Sequence, residues 1–182
     1  ISDSTAIITY LDALHPEPNL IPTEAKARAR TIWYEEFGDT IAQAAGQKIF
    51  FNRAVAKMVK RPQDLATADR AEAEEMPAIY DYLESVLPDS GWLVEDRFTL
   101  ADLAAACPLI NVCYCSDGLD AARWPKVTAW LERVKARPSV ADALGDTDLA
   151  MAAMRKDSEA QEGFKEGAMT QFPYVAFWNA AY

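Results

Sequence analysis

The feature that most constrains this chain is a capped, almost wholly apolar stretch near its middle. In Phe98-Thr99-Leu100-Ala101-Asp102-Leu103 a hydroxyl residue is followed three positions later by an acid. Thr99 can accept from the backbone N–H of Asp102, Asp102 can reach back to the N–H of Thr99, and Phe98 and Leu103 bracket the cap as a hydrophobic staple. Behind the cap come Ala104, Ala105, Ala106, Cys107, Leu109, Ile110 and Val112. A helix apolar on every side has to be surrounded by other elements. The chain is therefore predicted to be an all-helical bundle with this element, running to about Tyr114, at its centre. Pro108 should distort it. The longest apolar run, Leu103 to Ile110, is far shorter than the roughly 18 residues of a bilayer span, so no membrane is expected as a partner.

Helical spacing recurs on both sides of that centre. Ala6, Ile7, Tyr10, Leu11 and Leu14 mark one buried face of a first helix, with Ser2, Asp3 and Ser4 as capping candidates. The two prolines of His15-Pro16-Glu17-Pro18-Asn19 end it. A second helix opens at Pro22-Thr23-Glu24, a capping residue followed by an acid, and carries Ala25, Ala29, Ile32, Trp33, Phe37 and Ile41 on its inner side. Its pattern continues to about Lys60, as one kinked helix or two, with Gly38 and Gly46 offering bends. A third helix from about Ala66 to Val86 turns Ala73, Met76, Ile79, Tyr80, Leu83 and Val86 inward, and Pro77 predicts a kink one turn earlier. Trp124-Pro125 opens a helix with Val127, Trp130, Leu131 and Val134 inside. A short helix then runs from Pro138 to Leu144.

The 28 acidic and 18 basic residues give a formal charge of −10, which argues against electrostatic binding to nucleic acid, and none is expected as a partner. Three cysteines, Cys107, Cys113 and Cys115, make no disulfide framework, and a reducing, cytoplasmic setting follows. The chain opens at Ile1 without methionine and moves at once into helical spacing, which predicts that it is part of something larger. Residues 146–167 carry six acids against three bases, and the last 19 residues hold six of the 19 aromatics: Phe164, Phe172, Tyr174, Phe177, Trp178 and Tyr182. Disordered tails are poor in aromatics, so this one is expected to dock on its own bundle or a partner.

No self-contained catalytic kit is present. His15 is the sole histidine, which excludes a histidine-based metal cluster within one chain, and no metal is expected. Side chains at Cys113 and Cys115 would point about 200° apart on a helix and could not chelate one ion together, so both read as packing. Glu35-Glu36 and Glu74-Glu75 read as solvated helix faces. Asp102 is fully explained by its cap.

Three segments in order carry a family resemblance. Asp3-Ser4-Thr5-Ala6-Ile7-Ile8-Thr9-Tyr10-Leu11-Asp12 resembles the acid-Ser segment that begins the last helix of the thioredoxin-like domain in cytosolic glutathione transferases. Phe98-Thr99-Leu100-Ala101-Asp102 resembles that family's capping box, and Trp124-Pro125-Lys126-Val127 through Arg137-Pro138-Ser139-Val140 is similar to the helix and turn that follow. The resemblance implies that residues 1–15 are the last helix of an otherwise absent thioredoxin-like domain and that 22–144 are the all-helical C-terminal domain. An acidic, then aromatic-rich extension follows at 145–182.

The same resemblance implies a function. The family's activating residue would lie upstream of Ile1, so no catalytic residue is expected in this chain alone. Asp3 and Ser4 would bind the γ-glutamyl end of glutathione, joined by Asp39, which resembles an acid that some members send across the dimer interface. A helix N-terminus with a hydroxyl suits a carboxylate and an adjacent acid suits an ammonium, quite apart from the family. Phe37, Ile41, Phe51 and Tyr114 would face an apolar electrophile, and Thr99 and Asp102 would be structural. The intact protein would be a homodimeric, detoxifying transferase that joins the glutathione thiolate to that electrophile. The alternative is a non-catalytic, transferase-like module for protein–protein interaction.

Overall fold

The computed structural model describes residues 2–160, and every regular element among them is helical. Residues 1–140 form one unit, and a second begins at Ala141. Helix α1 spans Ser4–Leu14, with Asp3 Oδ1 accepting the Ala6 N–H at 2.9 Å as its N-cap. Its apolar stripe is largely open in this chain. No α1 residue is buried, and Tyr10, Leu11 and Leu14 are each about half exposed. Periodicity identifies an apolar face, but not what covers it. The connector after α1 is fixed at the mouth of the central helix: the Leu100 N–H donates to the Leu20 carbonyl at 2.9 Å, and the Arg97 guanidinium holds the Asn19 carbonyl.

One long helical run follows, made of α2 (Ala25–Glu36), α3 (Gln43–Phe50) and α4 (Ala56–Met58), with widened π-helical turns at Phe37–Ala42 and Phe51–Val55. Glu24 itself is the N-cap, its carboxylate accepting from the N–H groups of Lys26 and Ala27, and those donors hold it below the ordinary carboxylate range. The inner face is rotated from the expected one. Trp33 and Ile41 are 51% and 47% exposed, while Ala27, Thr31, Tyr34, Glu35, Phe37 and Gly38 are buried. Two polar residues on that face concealed it from an apolar count. Thr31 satisfies its hydroxyl on the Ala27 carbonyl at 3.0 Å.

This run packs on α7 (Leu100–Cys113), the central helix. A Cβ at Gly38 would lie 2.5 Å from the Ala104 carbonyl oxygen. Pro108, four residues on, has no N–H to bond that carbonyl. The bare Cα of Gly38 therefore fits against the gap that the proline opens in α7. At the head of α7, Thr99 and Asp102 form the expected capping box. Asp102 is fully buried and accepts four donors: the Thr99 N–H (2.9 Å) and hydroxyl (3.2 Å), the Leu93 N–H (2.9 Å) and the Trp130 indole (3.0 Å).

Helices α5 (Leu65–Arg70) and α6 (Met76–Val86) are joined by a third widened turn, Ala71–Glu75, at the place where Pro77 predicted a kink. The extra residue moves the inner face from Ala73, which is exposed, to Ala71. Helix α8 (Pro125–Lys135) buries the four residues expected of it. Trp124 offers no side-chain acceptor at its start, so Glu84 of α6 takes the N–H groups of Lys126 and Val127 at 3.1 and 3.0 Å. Helix α9 runs Pro138–Ala160 rather than stopping at Leu144; Gly145 inside it costs about 1 kcal/mol against alanine, too little to end a helix this rich in alanine. The aromatic tail from Phe164 lies outside the described residues.

Candidate functional site

The sequence-predicted glutathione residues come together where the first turn of α1 meets α2 and its widened turn. The Ser4 hydroxyl lies 3.4 Å from Asp39 Oδ2, a long contact for a hydroxyl and a carboxylate. Beside it the Thr5 hydroxyl donates to Glu35 Oε1 at 2.6 Å. Glu35 and Asp39 are four residues apart on one side of the helical run, as Ser4 and Thr5 are adjacent in the first turn of α1. The two elements are thus joined by two rungs, and the Thr5–Glu35 rung is the tighter. Asp39 reaches this helix end within its own chain.

Sequence reasoning missed Glu35, which pairs with Glu36 as a solvated acid only on paper. Glu36 is exposed, whereas Glu35 is 2% exposed and its Oε2 is buried without a hydrogen-bond donor. Burial pushes its carboxyl above the ordinary range; the Thr5 hydroxyl pulls the other way, and the nearby charges of Asp39, Glu36 and Asp3 push it up further. The only available signal was its position in phase with Thr31 and Tyr34, which an apolar count ignores. Asp3, Glu36 and Asp39 give this corner a surplus of negative charge suited to a cation.

The expected electrophile-side residues are more scattered. Phe37 is a core residue, 3% exposed with its ring 5.2 Å from that of Tyr82, so it offers no open wall. Ile41 is exposed, and Phe51 and Tyr114 are half-buried. Thr99 and Asp102 serve the fold. Cys113 and Cys115 are partly exposed and Cys107 is exposed, rather than packed inside. Among the described residues no three histidine, cysteine or acidic side chains are grouped to hold a metal ion, and no helix is long and apolar enough to cross a membrane.

Residues 48–138, half of the chain, match the model of the glutathione S-transferase C-terminal domain. The chain belongs to the glutathione S-transferase family. The chain is 29% identical over 143 residues to the disulfide-bond oxidoreductase YfcG of Escherichia coli, covering 78% of this chain and 62% of that protein. It is likewise 29% identical over 155 residues to FtsZ-localized protein A of Caulobacter vibrioides, covering 80% and 64%. Among solved structures, a glutathione S-transferase from Rhodospirillum rubrum superposes with a TM-score of 0.68 at 25% identity, covering 76% of this chain and 62% of the other. The chain thus spans about three fifths of the length of these relatives. The matched region begins within α3, and the corner formed by Asp3, Ser4, Glu35 and Asp39 precedes it.

Proposed function

We propose that the full-length protein is a glutathione transferase in which this chain binds the γ-glutamyl end of glutathione and forms the wall against which an apolar electrophile lies. The observation that carries the reading is the approach of Ser4 at the start of α1 to Asp39 of the helical domain, with Asp3 beside them. A γ-glutamyl group bears one carboxylate and one ammonium. The N-terminal N–H groups of α1 and the Ser4 hydroxyl suit the first, and Asp3 and Asp39 suit the second. Ile41, Phe51 and Tyr114 are the residues proposed for the electrophile side. The thiol-activating group would come from sequence outside this chain. A homodimer and a cytosolic setting belong to the same proposal.

The test is calorimetric titration of the full-length protein with glutathione and with its N-acetyl analogue, followed by conjugation to an aryl halide. Glutathione should bind, the acetylated analogue should bind far more weakly, and Ser4→Ala or Asp39→Asn should each weaken glutathione by about tenfold, the scale of one hydrogen bond to a charged group. Absence of saturable glutathione binding overturns the reading. The name of the Caulobacter relative, together with the exposed Tyr10, Leu11 and Leu14, favours one other reading, a non-catalytic docking module. In that case a protein partner is captured with no glutathione binding, and capture is lost when these three are replaced by serine.

A further inference from the structure

No residue of α1 is fully buried, though Thr5, Ile7 and Ile8 are half-buried, and its first turn holds the groups proposed to read glutathione. The side-chain hydrogen bonds that tie this turn to the helical run are the two rungs. The Ser4–Asp39 contact is long, at 3.4 Å, while Thr5–Glu35 closes at 2.6 Å, so the stronger rung is made by two residues that would not touch the ligand. Glu35 is also buried in an unusual way: Oε1 is occupied by Thr5, and Oε2 has no donor. Most buried side-chain oxygens are hydrogen-bonded, as both oxygens of Asp102 are. Glu35 is half-filled, and the charges of Asp39, Glu36 and Asp3 act against its ionised form, so its burial calls for an explanation beyond packing.

Resting on the transferase reading, we infer that Glu35 is a positioning residue for glutathione: through Thr5 it fixes the first turn of α1, and with it Asp3 and Ser4, at the distance from Asp39 that the γ-glutamyl group requires. Glu35 does not itself reach the ligand, since Oε2 is closed off from solvent. Its action is geometric, and it should be felt by glutathione and not by the electrophile.

The experiment uses the full-length protein and steady-state conjugation to an aryl halide, with both substrates varied. In Glu35→Ala the KM for glutathione should rise about tenfold, while the KM for the aryl halide and kcat change by less than about twofold. Thr5→Val, which keeps the shape and removes the hydroxyl, should give the same increase, and the double variant should be no worse than either single one. Glu35→Gln retains an oxygen to accept from Thr5 and should recover most of the loss. A wild-type protein that binds no glutathione overturns the transferase reading and this inference with it. A wild-type that binds glutathione, with Glu35→Ala folded and its glutathione KM unchanged, or with both KM values raised alike, overturns this inference alone. If Glu35→Ala fails to fold, Thr5→Val decides by the same criterion.

Discussion

Asp102 and Glu35 are both carboxylates removed from water in a domain whose core is otherwise almost wholly apolar, but their surroundings are opposite. Asp102 sits under the cap of α7 with four donors on two oxygens. Burial pushes its carboxyl up, and those four hydrogen bonds oppose the push. Glu35 has one donor, an empty oxygen and three acidic neighbours. The first arrangement ties together the head of α7, the segment at Leu93 and the inner face of α8, and is complete in itself. The second is left incomplete at the junction of the two elements proposed to hold the ligand. A buried charge with all its partners reports on architecture, and one without them points to function.

The largest expected effect breaks the complete arrangement. Asp102→Ala strands the buried N–H groups of Leu93, Thr99 and Trp130 at once, and should lower stability by about 4 kcal/mol, near the limit for a single substitution. Denaturant unfolding of the variant checks this. Loss below about 1 kcal/mol would mean that water or rearrangement replaces the carboxylate, and the contrast with Glu35 would fail.

A smaller effect is expected midway between the two regions, where the helical run meets α7. Gly38→Ala drives a methyl group against the Ala104 carbonyl at 2.5 Å, a backbone atom that cannot swing aside. It should cost about 2–3 kcal/mol by overpacking. Gly46→Ala meets Val112 and the Pro108 carbonyl only at 3.2 and 3.3 Å, so its cost should be clearly less in the same unfolding experiment. Because Gly38 immediately precedes Asp39, the first variant should also weaken glutathione, whereas the second should not.

These positions show what could be read from residues alone. The capping box of α7 and the inner face of α8 were legible because each is local: a hydroxyl three residues before an acid, or apolar residues at helical spacing with nothing polar among them. The inner face of α2 was not, because Thr31 and Glu35 lie on it and their burial depends on partners that are either backbone or distant in sequence. The widened turn at Ala71–Glu75 defeated the spacing argument by another route, since it inserts a residue and shifts the phase across it; Ala73 fell on the wrong side for that reason. Asp3, Ser4 and Asp39 were proposed through the family resemblance, Asp39 only by its place in a motif. Glu35 had neither a motif nor an apolar neighbourhood to announce it. Its partner Thr5 is 30 residues away, and a single hydrogen bond across that separation leaves no periodic trace.

The most delicate prediction concerns the pH dependence that an incomplete site imposes. The Glu35 carboxyl is raised in the folded protein, first by burial and then by Asp39, Glu36 and Asp3, against the pull of the Thr5 hydroxyl. The folded state therefore holds this proton more tightly than the unfolded chain does. Stability from this group is present in full below the ordinary carboxylate range and is lost as pH rises through the folded-state value. Glu35→Gln removes the ionisation and keeps an acceptor for Thr5. Its amide nitrogen, placed where Oε2 was, adds an offset that does not depend on pH. The diagnostic quantity is thus the difference in Tm between Glu35→Gln and the wild type, followed from about pH 3.5 to pH 8 by calorimetry. It should move in favour of the variant as pH rises and then level off. A difference that stays flat across the range, or moves in favour of the wild type, would mean that the empty oxygen is satisfied in solution, and Glu35 would then be as complete a structural carboxylate as Asp102.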